Sequence, residues 1–117
     1  MNDAGREKRL KKLEGYRDFR AYFVKDLRDH PEDIDGYLEI VIEDYEKDRD
    51  AAAFLLALRT IAEAKEGMTS LAKKTNLTRQ ALYKALSSKG NPRLETIWLI
   101  LNALGYSISI KPSPAAQ

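Results

Sequence analysis

The alternation of apolar and polar positions divides the chain into helical stretches. Tyr16, Phe19, Phe23 and Leu27 recur at helical intervals, with Tyr22 and Val24 beside them. This predicts an amphipathic helix that ends before His30-Pro31, because the residue ahead of a proline disfavours the α region. Pro31 suits the first turn of a second helix, whose acids Glu32, Asp33 and Asp35 complement the helix dipole. Its expected buried stripe is Ile34, Leu38, Val41, Ile42 and Tyr45, with Tyr37 alongside. Asp50 is placed to cap a third helix, Ala51 to about Lys65, which turns Phe54, Leu55, Leu58, Ile61 and Ala62 inward and stops at Gly67. A last helix, Leu94 to Leu104, is expected to bury Leu94, Ile97, Trp98, Leu101 and Leu104. After Gly105, Tyr106-Ser107-Ile108-Ser109-Ile110 alternates apolar and polar, the pattern of a short half-buried strand. Such a strand needs an edge to pair with: a second copy, another protein, or none if the segment is irregular. Pro112, Ser113 and Pro114 end regular structure.

Between the third helix and the last lies the most informative stretch, residues 68–87. Thr69 is a plausible N-cap for a short helix with Leu71 and Ala72 inward, ending near Thr75. Asn76 tolerates the left-handed backbone a tight reversal requires. Leu77 buries the turn and Thr78 caps a second helix to about Leu86. Ala81, Leu82, Ala85 and Leu86 share its inner face, and Arg79, Gln80, Tyr83 and Lys84 the other. Two short helices with this cap, turn and polar face have the layout of a helix-turn-helix, whose second helix offers its first polar residues to the DNA major groove. The polar loop that follows, Ser87 to Pro92, would add phosphate contacts or serve only as a connector.

Composition narrows the chemistry. The chain has 117 residues, 44% of them hydrophobic and 32% charged, with no cysteine and one histidine, His30. Disulfides, cysteine-based metal sites and multi-histidine sites are therefore excluded. No nucleophile–base pair or phosphate loop is present, so an enzyme is not expected. The basic start of the chain lacks the apolar core of a signal peptide, and no run is long enough to span a bilayer, which predicts a cytoplasmic protein. Net charge is only +2, yet it is unevenly spread. Residues 1–28 hold nine Lys/Arg and five Asp/Glu, residues 29–50 two and ten, and residues 51–117 nine and three. The helix-turn-helix thus lies in a basic segment, as phosphate binding requires. Glu39 and Glu43, four apart on the acidic helix, read as a solvated face or a docking surface for a basic partner, since no histidine or second cluster joins them. The aromatic row of the first helix either packs on the core or meets a partner.

Leu77-Thr78-Arg79-Gln80-Ala81-Leu82-Tyr83-Lys84-Ala85-Leu86-Ser87, followed by Gly90-Asn91-Pro92, resembles the addiction-module antidote proteins, HigA-like antitoxins with a Cro/C1-type helix-turn-helix. The likeness extends through Phe54–Leu58 and Ala62 back to Tyr37-Leu38 and forward to Ala103-Leu104-Gly105, about residues 29–110. Asn76 stands where the family usually has Gly, and residues 1–28 are longer than the resemblance leads one to expect. It implies an all-α, lambda-repressor-like bundle with an N-terminal helical extension and a short C-terminal strand. The expected organisation is a basic arm and aromatic helix at 1–28, a helical domain at 29–110 with the helix-turn-helix at 69–87, and a disordered tail at 111–117. It also implies an antitoxin that silences a small basic RelE/HigB/ParE-like toxin and represses its own operon as a homodimer. The alternative is a prophage-type repressor without a toxin. No cofactor is implied.

For double-stranded operator DNA, Arg79, Gln80 and Lys84 are expected at base edges, and Thr78 at a phosphate. Tyr83 would pack on a sugar or thymine methyl, or act as scaffold. Thr69, Lys73, Lys74, Lys89, Asn91 and Arg93 complete the expected DNA set, mostly through the backbone. Phe19, Tyr22, Phe23, Glu39, Glu43 and Asp44 are the candidate toxin contacts. Tyr106, Ile108 and Ile110 are the candidate dimer contacts.

Overall fold

The computed structural model describes residues 17–114. The expected basic arm up to Tyr16 and the last three residues of the tail lie outside them. Six α-helices are present among the described residues: α1 (Arg17–Asp29), α2 (Ile34–Asp48), α3 (Ala51–Lys65), α4 (Met68–Thr75), α5 (Arg79–Ala85) and α6 (Leu94–Ala103). No helix among these residues is long and apolar enough to cross a membrane.

The centre is α3. Leu58, Ile61 and Ala62 have no solvent exposure, and Leu55 and Ala64 are nearly as buried. Asp50 begins the helix as expected, its side chain accepting a hydrogen bond from the Ala53 N–H at 3.0 Å. Helices α1 and α2 pack on α3, while α5 and α6 pack on α4. One apolar core runs through both groups, from Val24 and Leu27 to Ile100, Leu101 and Leu104. Polar contacts orient α1 on this support. Arg20 lies 3.3 Å from a Glu63 carboxylate oxygen, Arg59 reaches the other at 3.0 Å, and Arg28 donates to the Glu63 carbonyl at 2.9 Å.

The aromatic row of α1 divides. Phe23 is half-buried and meets Tyr37 edge-on at 5.0 Å, Phe19 stacks on Phe23, and Tyr22 stays 61% exposed. Packing on the core therefore claims Phe23, while the most deeply buried described positions of α1 are Val24 and Leu27.

Several expectations are corrected. Pro31 opens a three-residue 3-10 turn ahead of α2 rather than α2 itself. Gly67, not Thr69, stands at the start of α4. Its φ of +87° lets the chain leave α3 and enter α4 across only Glu66 and Gly67, a backbone that favours glycine. Thr69 then falls inside the first turn. Ile42 and Ala81 face solvent. In α6, Leu94 and Trp98 are exposed and Ile100 is buried, so the inward face is rotated from the expected one. A helix rich in apolar residues on every side gives its periodicity little power to choose.

No strand forms among the described residues, and Tyr106–Ile110 runs without ladder bonds. A single copy offers no sheet edge, so the alternating pattern has nothing to pair with. Tertiary contacts fix the segment instead. The Tyr106 hydroxyl bonds an Asp35 carboxylate oxygen at 2.6 Å, and the Lys65 ammonium sits 4.0 Å from the Tyr106 ring centre. Burial, followed by that carboxylate, pushes the Tyr106 phenol well above its ordinary value.

Two stability predictions follow from this packing. Ile61→Ala is expected to cost about 2–5 kcal/mol in denaturant unfolding, because a fully buried side chain leaves a cavity among packed helices. Lys74 and then Ser70 hold the Glu66 carboxyl below its ordinary value. A depressed carboxyl stabilises the fold above its unfolded value and loses that contribution as pH falls through the folded one. Glu66→Gln should thus lower the thermal midpoint at neutral pH and leave it unchanged in strong acid.

Candidate nucleic-acid interface

The polar face of α5 is set up by the turn before it. The Thr75 hydroxyl donates back to the Leu71 carbonyl at 2.8 Å and closes α4 from inside. Asn76 adopts the left-handed conformation, φ 58° and ψ 28°, and the Leu77 N–H returns to the Ala72 carbonyl. Leu77 packs half-buried against the core. Thr78 then begins α5 in extended geometry, its side-chain oxygen accepting from the Ala81 N–H at 2.9 Å. Leu82 and Leu86 are completely buried. With those two anchored inward, helix geometry directs Arg79, Gln80 and Lys84 to solvent, where they are exposed.

Tyr83 is half-buried between two cations. The Arg59 guanidinium lies 4.8 Å from its ring centre and that of Arg79 5.8 Å. The Tyr83 ring thus lies beside Arg79 and links α5 to Arg59 of α3. Arg59 was not legible as a member of this region. It belongs to α3, 24 positions before Tyr83 in the chain, and no local periodicity links the two.

The loop after α5 is tightly specified. The Ser87 hydroxyl donates to the Lys84 carbonyl, and the Gly90 N–H to that of Ser87. A Cβ on Gly90 would overlap the Ala85 carbonyl oxygen and lie 2.8 Å from that of Lys84, so glycine alone fits this approach. Lys89, Asn91 and Arg93 are exposed along the loop, with Glu95 3.8 Å from Arg93. Lys73 and Thr69 are exposed on α4. Lys74 is not free: its ammonium lies 2.8 Å from a Glu66 oxygen.

The other candidate residues lie elsewhere on the molecule. Glu39, Glu43 and Asp44 are exposed on α2, and of these Asp44 lines a groove between α2 and α3. Phe19 and Phe23 are largely committed to packing, leaving Tyr22 as the open member of that group. The proposed dimer residues are separated by burial. Tyr106 and Ile108 pack against the core, and Ile110 is 91% exposed.

Comparison with known proteins places this arrangement in a lineage. The chain is 36% identical over 83 residues to an uncharacterized protein of Haemophilus influenzae, covering 70% of this chain and 79% of that one. No solved structure matches it. A family match spans residues 18–112, so the aromatic helix α1, outside the span suggested by the sequence resemblance, falls largely within it. By that match, over most of its length, the chain belongs to the family of probable addiction module antidote proteins.

Proposed function

We propose that the protein is the antitoxin of a toxin–antitoxin module that neutralises a small basic RelE/HigB/ParE-like toxin and represses its own operon by binding operator DNA as a dimer. Membership of the antidote family supports the antitoxin role. The observation that carries the DNA role is the capped, inward-anchored α5 with Arg79, Gln80 and Lys84 exposed on its outer face. In this reading α4 and α5 form a Cro/C1-type helix-turn-helix. Arg79 reads guanine through its paired donors and Gln80 reads adenine. Thr78, Lys73, Lys89, Asn91 and Arg93 hold the phosphates and set the register.

A palindromic operator calls for a two-fold dimer. The exposed apolar row Leu94, Trp98 and Leu99 on α6 supports a second copy there, because it directly follows the phosphate-contacting loop and stays open to solvent among the described residues. A second copy on this row would hold two α5 helices in fixed relation. Toxin binding falls to the side of the molecule formed by α1 and α2, away from the cations of α4, α5 and the loop.

Co-purification with the product of the adjacent gene, followed by a gel shift on the operon's upstream DNA, tests both activities. A retained partner and a shifted operator are expected, whereas a shift with no retained partner would leave a plain repressor. Arg79→Ala should cost about 1–3 kcal/mol on the operator and relax sequence preference, while Lys89→Ala should weaken operator and random DNA alike. Equal losses on both DNAs for Arg79→Ala would remove it from base reading. Trp98→Asp should shift sedimentation from dimer to monomer while leaving the helical circular dichroism unchanged.

A further inference from the structure

The groove between α2 and α3 is chemically unlike the rest of the surface. It encloses about 220 Å³. Tyr37, Tyr45 and Phe54 line it, Ile40 stands 56% exposed at its edge, and Asp44 and Asp48 rise from the same face of α2. Asp50, also on the lining, is occupied in capping α3, and one Asp48 oxygen accepts from the Asp50 N–H. Asp44 has neither a hydrogen bond nor an ion pair among the described residues. Glu39, Glu43 and Glu46 of the same helix likewise form no ion pair there. The cations of residues 29–50 are Lys47 and Arg49, against ten acids. Arg49 already rests 5.6 Å from the Tyr45 ring centre, so this aromatic surface accepts a guanidinium.

Aromatic faces beside unpaired carboxylates favour an arginine or lysine side chain, through the ring quadrupole and a charge-assisted hydrogen bond together. The apolar lining in addition demands an apolar neighbour on the incoming segment. A nucleic acid is repelled by the same acids. We propose that the α2–α3 groove is the seat of the toxin, taking a basic amphipathic segment with an apolar residue against Tyr37, Ile40 and Phe54 and a cation against Asp44 and Asp48. The proposal rests on the antitoxin reading and deepens it. It divides the acidic helix, since Asp44 and Asp48 line the groove and Glu39 and Glu43 do not.

The test measures affinity of the full chain for the product of the adjacent gene, at physiological and at high salt. Asp44→Lys/Asp48→Lys should weaken binding by at least about tenfold, as loss of close interfacial charge pairs does. Asp44→Lys alone should weaken it in the same direction while leaving the Asp48–Asp50 turn intact. Glu39→Lys/Glu43→Lys makes the same charge change off the groove and should move affinity only about threefold, an effect that disappears at high salt. Circular dichroism confirms that each variant is folded. Equal losses for the two double variants would overturn the groove in favour of diffuse steering. Undiminished binding by the groove variants would overturn it while leaving the antitoxin reading standing, and no binding by the unmodified chain would overturn both. A change in sedimentation mass of the groove variants without partner would assign the groove to a second copy and overturn the proposal.

Discussion

Helix α3 must bury apolar residues toward several neighbours at once, and the rest of the molecule is arranged to meet that demand. Leu58, Ile61 and Ala62 are sealed completely, and even Thr60 is buried, its hydroxyl turned back to the Leu56 carbonyl. A helix apolar over so much of its circumference cannot be covered by one partner. Helices α1 and α2 cover part of it, and the core continues through Met68, Leu71 and Ala72 of α4. The ion pairs at Glu63 add orientation more than stability, because partly exposed pairs are each worth about 0–1 kcal/mol. They select how α1 lies on α3, and through Arg59 they connect that packing to Tyr83 on α5.

Charge is segregated on this scaffold. Cations gather on α4, α5 and the loop that follows, while uncompensated acids gather on α2. A net charge of +2 conceals this division, and recognition responds to the local field rather than the sum. The two surfaces favour partners of opposite charge, so an anionic and a cationic partner would not compete for the same residues. Electrostatic steering to either surface weakens with salt, whereas the aromatic lining of the groove and the hydrogen bonds of α5 do not depend on long-range fields.

Local constraints converge on the polar face of α5. The left-handed Asn76, the Thr78 cap, the buried Leu82 and Leu86 and the Gly90 approach leave α5 and its loop few alternatives. The Tyr83 ring, 5.8 Å from the exposed Arg79 guanidinium and 4.8 Å from that of Arg59, ties this face to α3.

The helices, most of their ends and the polar face of α5 are legible in the residue pattern, because those depend on neighbours within a few residues. Asp50 and Thr78 as caps, Asn76 at the reversal and Arg79, Gln80 and Lys84 facing outward are all local chemistry. At the start of α4 the local pattern misleads, because a threonine resembles a cap in any context, while the positive φ of Gly67 is visible only in the backbone. The face of α6 is ambiguous in the sequence because Leu94, Ile97, Trp98, Leu99, Ile100, Leu101 and Leu104 allow several stripes, and the neighbouring helices choose among them. The alternating Tyr106–Ile110 lacked the one thing a strand cannot supply for itself, an edge. Arg59 beside Tyr83, Tyr106 on Asp35 and the acidic groove between α2 and α3 belong to the tertiary structure alone, because each joins residues that only packing brings within a few ångströms.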